Sequence, residues 1–254
     1  MLLNIYKFIL DIFFPIECAG CGIEGSWLCK KCFNKLQYRQ QQYCLHCKKE
    51  NTFGRFCPDC GKNYALNGVW IACNYHNKII AQLIKNFKYH FASDISIILG
   101  DFVSLFFKDL SSKSNQHSTF KTIKLRHEDK PLKILANLSN VLLIPVPLHN
   151  KRKKWRGFNQ AEKITEIISN NFNIPINSQQ LLRIKHKKPQ VQLKEQQRKK
   201  NIQNCFKWDG NKLNNQNIIL VDDIVTTGAT LNECASVLKQ AGAQQVWGLV
   251  IAKG

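Results

Sequence analysis

Residues 218–231 read IILVDDIVTTGATL, and this stretch decides the fold. It consists of an apolar run, two adjacent carboxylates, and a loop of small and hydroxylated residues. The run at 218–221 is typical of a buried strand in a parallel sheet. Beyond the loop, apolar residues recur at helical spacing as far as Gly242, and a further strand is predicted at 246–251. The order strand, loop, helix, strand predicts an α/β domain built on a parallel sheet.

The polar residues of this unit lie where its first strand ends, which is where open α/β sheets bind their ligands. Loop 226–230 offers hydroxyls and backbone N–H groups beside a helix N-terminus, a favourable place for a phosphate. Asp222 and Asp223 would repel a phosphate and instead suit sugar hydroxyls or a magnesium ion. Thr230 and Glu233 have the spacing of a capping box. These residues predict a site for a ribose 5-phosphate.

The stretch closely resembles the phosphoribosyl pyrophosphate loop of type I phosphoribosyltransferases. The resemblance implies that Asp222 and Asp223 are catalytic acids that meet the ribose hydroxyls, with magnesium on the ligand. It also implies that the 5-phosphate is held by Thr226, Thr227, Gly228, Ala229 and Thr230. A receiver domain also uses paired aspartates, but near the beginning of its fold, whereas only about thirty residues follow here. A Walker loop would require GxxxxGK[ST], which the chain lacks.

The chain of 254 residues is strongly basic, with 37 Lys and Arg against 17 Asp and Glu and a formal net charge of +20. This excess favours a polyanionic partner, foremost nucleic acid and then an anionic membrane surface, although a lysine-rich proteome would produce it as well. Residues 1–16 are apolar, but Lys7 and Asp11 interrupt the run. The run matches neither a signal peptide nor a membrane span, so we predict a packed helix, no transmembrane segment and a cytoplasmic protein.

Eight of the eleven cysteines form four CxxC pairs within the first sixty residues. Two such pairs complete a four-thiolate zinc site. Sequential pairing gives a first site from Cys18, Cys21, Cys29 and Cys32, and a second from Cys44, Cys47, Cys57 and Cys60. Interleaved pairing fits the spacing too, and iron–sulfur ligation and redox chemistry are rival interpretations. Structural zinc is favoured because four thiolates leave no open position for a substrate, and so short a segment needs metal to fold.

A second informative stretch, residues 141–164, reads VLLIPVPLHNKRKKWRGFNQAEKI. It predicts a buried strand at 141–144, then five cations between Lys151 and Arg156, then a helix. Such cations would balance the charge of a pyrophosphate, and Trp155 could stack on a base. Further helices are predicted at 78–88 and 95–106, whereas residues 108–131 lose all periodicity and predict a flexible insertion.

Four motifs together resemble the competence protein F (ComF) family: LIPVPLH, RGFNQA, an arginine followed by PQ..L....R..N, and VDDIVTTGATL. The third motif comprises Arg183, Pro189, Gln190, Leu193, Arg198 and Asn201. The resemblance covers nearly the whole chain and includes a zinc-ribbon-like N-terminus. It implies a helix and double zinc ribbon at 1–64 and a phosphoribosyltransferase-like parallel sheet flanked by helices at 65–254.

The same resemblance implies a role in DNA uptake, with single-stranded DNA and proteins of the uptake machinery as partners. There are two alternatives. The protein would be an active phosphoribosyltransferase with an unidentified acceptor, or it would sense phosphoribosyl pyrophosphate without turnover. The pyrophosphate loop would be Val146, Pro147, Leu148 and His149, with Arg152, Arg156 and Arg183 as further phosphate contacts. The basic segment 183–201 would be a loop closing over the site or a strip for nucleic-acid backbone, unless it is simply a solvated face.

Overall fold

The computed structural model describes residues 15–39, 41–51, 53–89, 92–116, 140–185 and 202–254. The helix predicted before Pro15 lies outside these residues, as do most of the predicted insertion and the basic segment from residue 186 to residue 201. Among the described helices, none has the length and apolar character needed to cross a membrane.

A four-stranded parallel sheet organises the domain. Its strands are β3 (Gly68–Asn74), β4 (Val141–Pro145), β7 (Asn217–Val225) and β8 (Gln245–Lys253). They lie in the order β3-β8-β7-β4, and every neighbouring pair is parallel. Since parallel strands present their carboxyl ends at one edge, the loops that follow β4 and β7 lie side by side. The parallel sheet with flanking helices confirms the predicted fold class.

Helices cover both faces of the sheet. They are α3 (Lys78–Tyr89), α4 (Ile95–Gln116), α5 (Asn150–Arg156), α6 (Gln160–Phe172) and α7 (Ala229–Gln240). Buried residues of α3, α4 and α6 form one core with Trp70 and Trp247, whose rings stack with centroids 4.8 Å apart. Leu231, Cys234 and other buried residues of α7 form the second core on the opposite face.

The helical prediction at 95–106 stopped too early. Helix α4 runs to Gln116, so residues 108–116 are helical and the interpretation of these nine residues as aperiodic chain was wrong. Phe106, Phe107 and Leu110 are buried and continue the apolar face of the helix, whereas the polar residues after them hide the pattern in the sequence. The rest of the predicted insertion that lies at 117–131 is not among the described residues.

Short elements make up the cysteine-rich region and a separate hairpin. The elements of the cysteine-rich region are α1 (Lys30–Phe33), β1 (Gln42–Tyr43), β2 (Glu50–Asn51) and α2 (Pro58–Gly61). Strands β5 (Leu181–Arg183) and β6 (Phe206–Trp208) pair antiparallel beside α7. The region of β1 and β2 contributes only two-residue strands, so its shape depends on turns and cysteines rather than on a sheet.

Candidate functional site

The two adjacent acids belong to strand β7 rather than to the loop after it. Asp222 pairs in register with Val250, and the pairing with β8 continues to Val225. Successive side chains of a strand point to opposite faces, so the two carboxylates leave the backbone in different directions. The strand therefore extends four residues beyond the predicted run at 218–221.

Asp223 points toward helix α3, where its carboxylate Oδ2 lies 2.7 Å from the Lys88 Nζ. Both side chains are largely buried, with 12% of the Asp223 side chain and 19% of the Lys88 side chain exposed. The pair neutralises one of the two acids inside the protein. Lys88 was interpreted in the sequence only as the end of a core helix, and no sequence signal tied it to the acidic pair.

Asp222 is half-buried and has no such neutralising partner in the described part of the chain. Burial raises the pKa of its carboxyl to about 8, with a further contribution from the charge of Asp223, while the more distant Lys88 opposes the shift. A perturbed acid at the carboxyl edge of a parallel sheet is typical of ligand sites, because a cation or a hydroxyl donor can replace the missing solvation.

Loop 226–230 joins this strand to helix α7. Gly228 is the N-cap residue of α7, with φ of 77°, a left-handed conformation that a glycine adopts without strain. The Ala229 N–H donates to the Thr227 Oγ1 at 3.4 Å. The predicted capping box was wrong: the helix begins one residue before Thr230, and the carboxylate of Glu233 instead accepts from the Asn204 N–H at 2.6 Å.

The loop after β4 lies directly beside the acids. The Val146 N–H donates to the Val221 carbonyl at 2.9 Å, extending the ladder by one residue. Asn159 holds this loop from the other side, because its Nδ2 donates to the Val146 carbonyl at 3.1 Å while its Oδ1 accepts from the Ala161 N–H and caps helix α6. His149 in turn caps α5 by accepting from the Lys151 N–H at 3.2 Å.

A cavity of about 330 Å³ opens beside this loop. Its lining includes Pro147, Leu148, His149 and Arg183, four of the residues predicted for the site. Asp222, Asp223 and loop 226–230 are not among its lining residues in the described structure. Some of the predicted residues therefore line this cavity, whereas Asp222 and Asp223 on strand β7 and the loop after them lie outside its lining.

The three predicted arginines converge although they come from two distant parts of the sequence. Burial lowers the pKa of Arg152, and the positive charges of Arg183 and Arg156 lower it further, so both of these side chains lie within electrostatic range of Arg152. Within the described residues, the buried Nε atoms of Arg156 and Arg183 find no hydrogen-bond partner. We call these three residues the arginine cluster.

Arg183 of the arginine cluster and Asp222 of strand β7 both influence the same buried thiol. Burial raises the pKa of the Cys234 thiol well above its usual value, the charge of Asp222 raises it further, and the charge of Arg183 opposes the shift. Both charged side chains are therefore close to this thiol on helix α7. On the other side of the cluster, the Arg156 Nη1 donates to the Gln160 Oε1 at 3.0 Å, and its guanidinium lies 5.9 Å from the centre of the Tyr89 ring.

The eight paired cysteines form two separate groups, each with all four Sγ atoms within 4.8 Å of one another. The groups are Cys18, Cys21, Cys29 and Cys32, called the first cluster, and Cys44, Cys47, Cys57 and Cys60, called the second cluster. The structure therefore selects sequential over interleaved pairing. The Sγ atoms of Cys21 and Cys29 are 3.8 Å apart, and those of Cys47 and Cys57 are 3.7 Å apart. A tetrahedron with Zn–S bonds of about 2.3 Å has edges of about 3.8 Å, so both groups fit structural zinc.

Two known protein families match separate parts of the chain. The double zinc ribbon domain family matches residues 9–62, and the phosphoribosyl transferase domain family matches residues 132–253. Competence protein F of Haemophilus influenzae is 28% identical over 249 residues, which are 94% of this chain and 99% of the relative. Competence protein ComFC of Bacillus subtilis is 27% identical over 224 residues, 80% of each chain.

A third relative is similar over a shorter region. DNA utilization protein YhgH of Escherichia coli K12 is 33% identical over 107 residues, 41% of this chain and 47% of the relative. The match to competence protein F covers 94% of the chain and therefore includes both the cysteine clusters and the sheet domain. The chain is therefore a homologue of competence protein F and ComFC, with a double zinc ribbon and a phosphoribosyl transferase domain.

Proposed function

We propose that this protein binds phosphoribosyl pyrophosphate together with magnesium and handles single-stranded DNA during DNA uptake in the cytoplasm. The relatives that match most of the chain are competence proteins, and a shorter match is a DNA utilization protein. Their names support the DNA-uptake part of the proposal, and the phosphoribosyl transferase domain match supports the ligand. The geometry of the site supports separate contacts for the pyrophosphate and for the ribose 5-phosphate.

The arginine cluster is the observation that carries the ligand proposal. Arg152 is repelled by the charges of Arg156 and Arg183, whose buried Nε donors lack a partner in the described structure, and such a group favours an anion of high charge density. A pyrophosphate would accept from several of these donors at once and relieve the repulsion. The loop of residues 146–149 would contribute backbone contacts to the same group.

The acidic strand and the loop after it would take the remainder of the ligand. Asp222 and Asp223 would meet the ribose hydroxyls, and loop 226–230 would hold the 5-phosphate at the N-terminus of α7. The oxygen donors of the two carboxylates suit magnesium, which would offset the charge of the pyrophosphate when the ligand is bound. The charge of a bound magnesium would also favour the ionised form of the Asp222 carboxyl.

Calorimetric titration with phosphoribosyl pyrophosphate and magnesium tests the ligand proposal. We expect binding by the unaltered protein and loss of binding in an Asp222→Asn, Asp223→Asn double variant and in an Arg156→Gln, Arg183→Gln double variant. Asp209→Asn is the matched control, because Asp209 forms an exposed ion pair with Lys207 and is not among the residues that line the cavity. Equal affinity in all four proteins, or no binding by any, would refute the assignment.

Turnover is a second candidate, favoured by the position of the arginine cluster beside the acids. In a transfer reaction the bond from the anomeric carbon to pyrophosphate would break, the acceptor would form the new bond, and the arginines would stabilise the departing anion. Release of pyrophosphate with a panel of nucleobases would establish an enzyme. Binding without release across the panel would favour a sensor, in which the ligand alters the affinity for nucleic acid.

An exposed aromatic pair beside the arginine cluster supports the nucleic-acid part. Trp155 is 59% exposed and Tyr89 is 53% exposed, and their rings contact edge to face with centroids 5.9 Å apart. Lys151, Lys153 and Lys154 are exposed on the same short helix. Aromatic faces flanked by cations are the combination that single-stranded nucleic acids bind, since bases stack while the cations neutralise phosphates.

Fluorescence anisotropy with a labelled single-stranded oligonucleotide tests this surface. Replacing Trp155 by alanine should weaken binding by about fivefold or more, because one stacked base contributes about 1 kcal/mol or more. Ile97→Ala is the control, because Ile97 is 54% exposed on helix α4 in the other part of the domain. If all binding were lost by about 0.15 M salt, or if the two variants bound equally well, the interaction would depend only on the overall positive charge of the protein.

A further inference from the structure

We propose that Leu45, within the second cluster, is a positioning residue for loop 226–230, so that zinc in the second cluster, but not in the first, supports phosphate binding. This inference rests on the proposed ligand and assigns the zinc ribbon a direct role at that site. The contact lies within the chain, so its effect on loop 226–230 can be measured both with and without ligand.

The contact between the two domains is immediate. Leu45 lies between the ligands Cys44 and Cys47, is only 6% exposed, and belongs to the same core as Val225 and Leu231. A methyl group added to Gly228 would lie 2.5 Å from the Leu45 Cδ2, closer than any ordinary van der Waals contact. The Leu45 side chain therefore fills the space over the turn of the phosphate loop, and it limits the positions which that turn can take.

The position of Leu45 depends on the turn that carries it. The Lys48 N–H donates to the Cys44 carbonyl at 2.9 Å, and Lys48 has a positive φ of 63°, which closes a tight turn around Leu45. The adjoining strands are two residues long, so they cannot hold this turn by themselves. Four bonds from sulfur to zinc would supply the missing rigidity, as they do in small metal-dependent modules.

Two further contacts fix the second cluster on the sheet domain. The side chain of Gln42 accepts from the Ile71 N–H at 3.0 Å and donates to the Ile71 carbonyl at 3.1 Å, in the manner of an added strand. At the other end, the Asn232 Oδ1 accepts from the N–H groups of Ala65 and Leu66 at 2.9 and 3.2 Å. Asn232 lies in the first turn of α7, so the segment that directly follows the ribbon is held beside the phosphate loop.

The first cluster packs elsewhere and supplies a matched control. Cys18, Leu28 and Cys32 belong to the core formed with helices α3 and α4, on the opposite face of the sheet. Gly20 in this cluster faces Ile79 of α3. Disturbing the first cluster should therefore lower stability without moving loop 226–230.

The test compares Leu45→Ala, Leu45→Met and Leu28→Ala in the full chain loaded with zinc. Leu28 is 7% exposed and directly precedes Cys29, so it matches Leu45 in size, in burial and in being next to a cysteine of its cluster. We expect Leu45→Ala to keep its zinc. Its Kd for phosphoribosyl pyrophosphate with magnesium should rise about fivefold, because the Kd rises by this factor when only about one fifth of the molecules hold the loop in the conformation that binds phosphate. Leu45→Met should restore affinity, and Leu28→Ala should leave it unchanged.

Hydrogen–deuterium exchange without ligand gives the second measurement. Amides of residues 226–232 should exchange faster in Leu45→Ala than in the unaltered protein, and should be unaffected in Leu28→Ala. Equal exchange in both alanine variants would overturn the inference, as would an unchanged Kd in Leu45→Ala. A protein that binds no phosphoribosyl pyrophosphate but shows faster loop exchange in Leu45→Ala alone would refute the proposed ligand and leave the positioning role supported.

Discussion

Replacing Asp222 by asparagine should change how the stability of the ligand-free protein depends on pH. Burial and the neighbouring Asp223 raise the pKa of the Asp222 carboxyl to about 8 in the folded state, whereas an unfolded aspartate titrates near pH 4. Between these values the folded protein holds a proton that the unfolded chain releases. The stability that this proton confers is complete at low pH and is lost as the pH rises toward 8.

The size of the effect follows from this single proton. Release of one proton on unfolding lowers the free energy of unfolding by about 1.4 kcal/mol per pH unit. Between pH 6.0 and pH 8.0 the unaltered protein should therefore lose about 2 kcal/mol of stability that the Asp222→Asn variant does not lose. Titrating groups that do not interact with Asp222 act equally on both proteins and cancel in the difference.

Urea denaturation with zinc and a thiol reductant, followed by tryptophan fluorescence, measures this difference. The stacked pair of Trp70 and Trp247 is fully buried in the core and reports its unfolding. Asp209→Asn is the control, because its carboxylate is exposed and it should retain the pH dependence of the unaltered protein. The reasoning would be refuted if the free energy of unfolding changed by the same amount in Asp222→Asn and in the unaltered protein between pH 6.0 and pH 8.0.

Three further predictions concern the surroundings of the site. Lys88→Met should destabilise the protein by about 3 kcal/mol, because it leaves the Asp223 carboxylate buried without its cation; adding Asp223→Asn should recover most of this loss in urea denaturation, and no recovery would contradict the pairing. Metal analysis should find two zinc ions per chain and one after either Cys18→Ser with Cys21→Ser or Cys44→Ser with Cys47→Ser, since the clusters share no ligand; loss of both ions from either double variant would contradict their independence. Asn159→Ala should cost about 1 to 2 kcal/mol of stability through the lost helix cap and also weaken phosphoribosyl pyrophosphate binding, because Asn159 holds the loop after β4; Asn171→Ala, at the other end of α6, should leave affinity unchanged, and equal affinities of the two variants would count against this role for Asn159.

Features that depend on near neighbours in the chain could be predicted from the sequence. The strand at 141–145, the helix at Lys78–Tyr89 and the strand, loop and helix around Gly228 follow from apolar spacing and from residues with special backbone geometry. The CxxC spacing likewise indicated four pairs of metal ligands. In each case the deciding residues lie within one turn or a few residues of strand.

Only the tertiary structure decided which of these features meet. Lys88 and Asp223 are 135 positions apart, and they pair because α3 packs on the face of β7 from which Asp223 projects. Arg183 joins Arg152 and Arg156 because the hairpin of β5 and β6 packs beside the carboxyl edge of the sheet. Leu45 reaches Gly228 because the second cluster rests on the α7 face. The spacing of residues within a segment determines how that segment folds. Contacts between distant segments depend on the order of strands in the sheet and on the face that each helix covers, and no short stretch of sequence determines either of these.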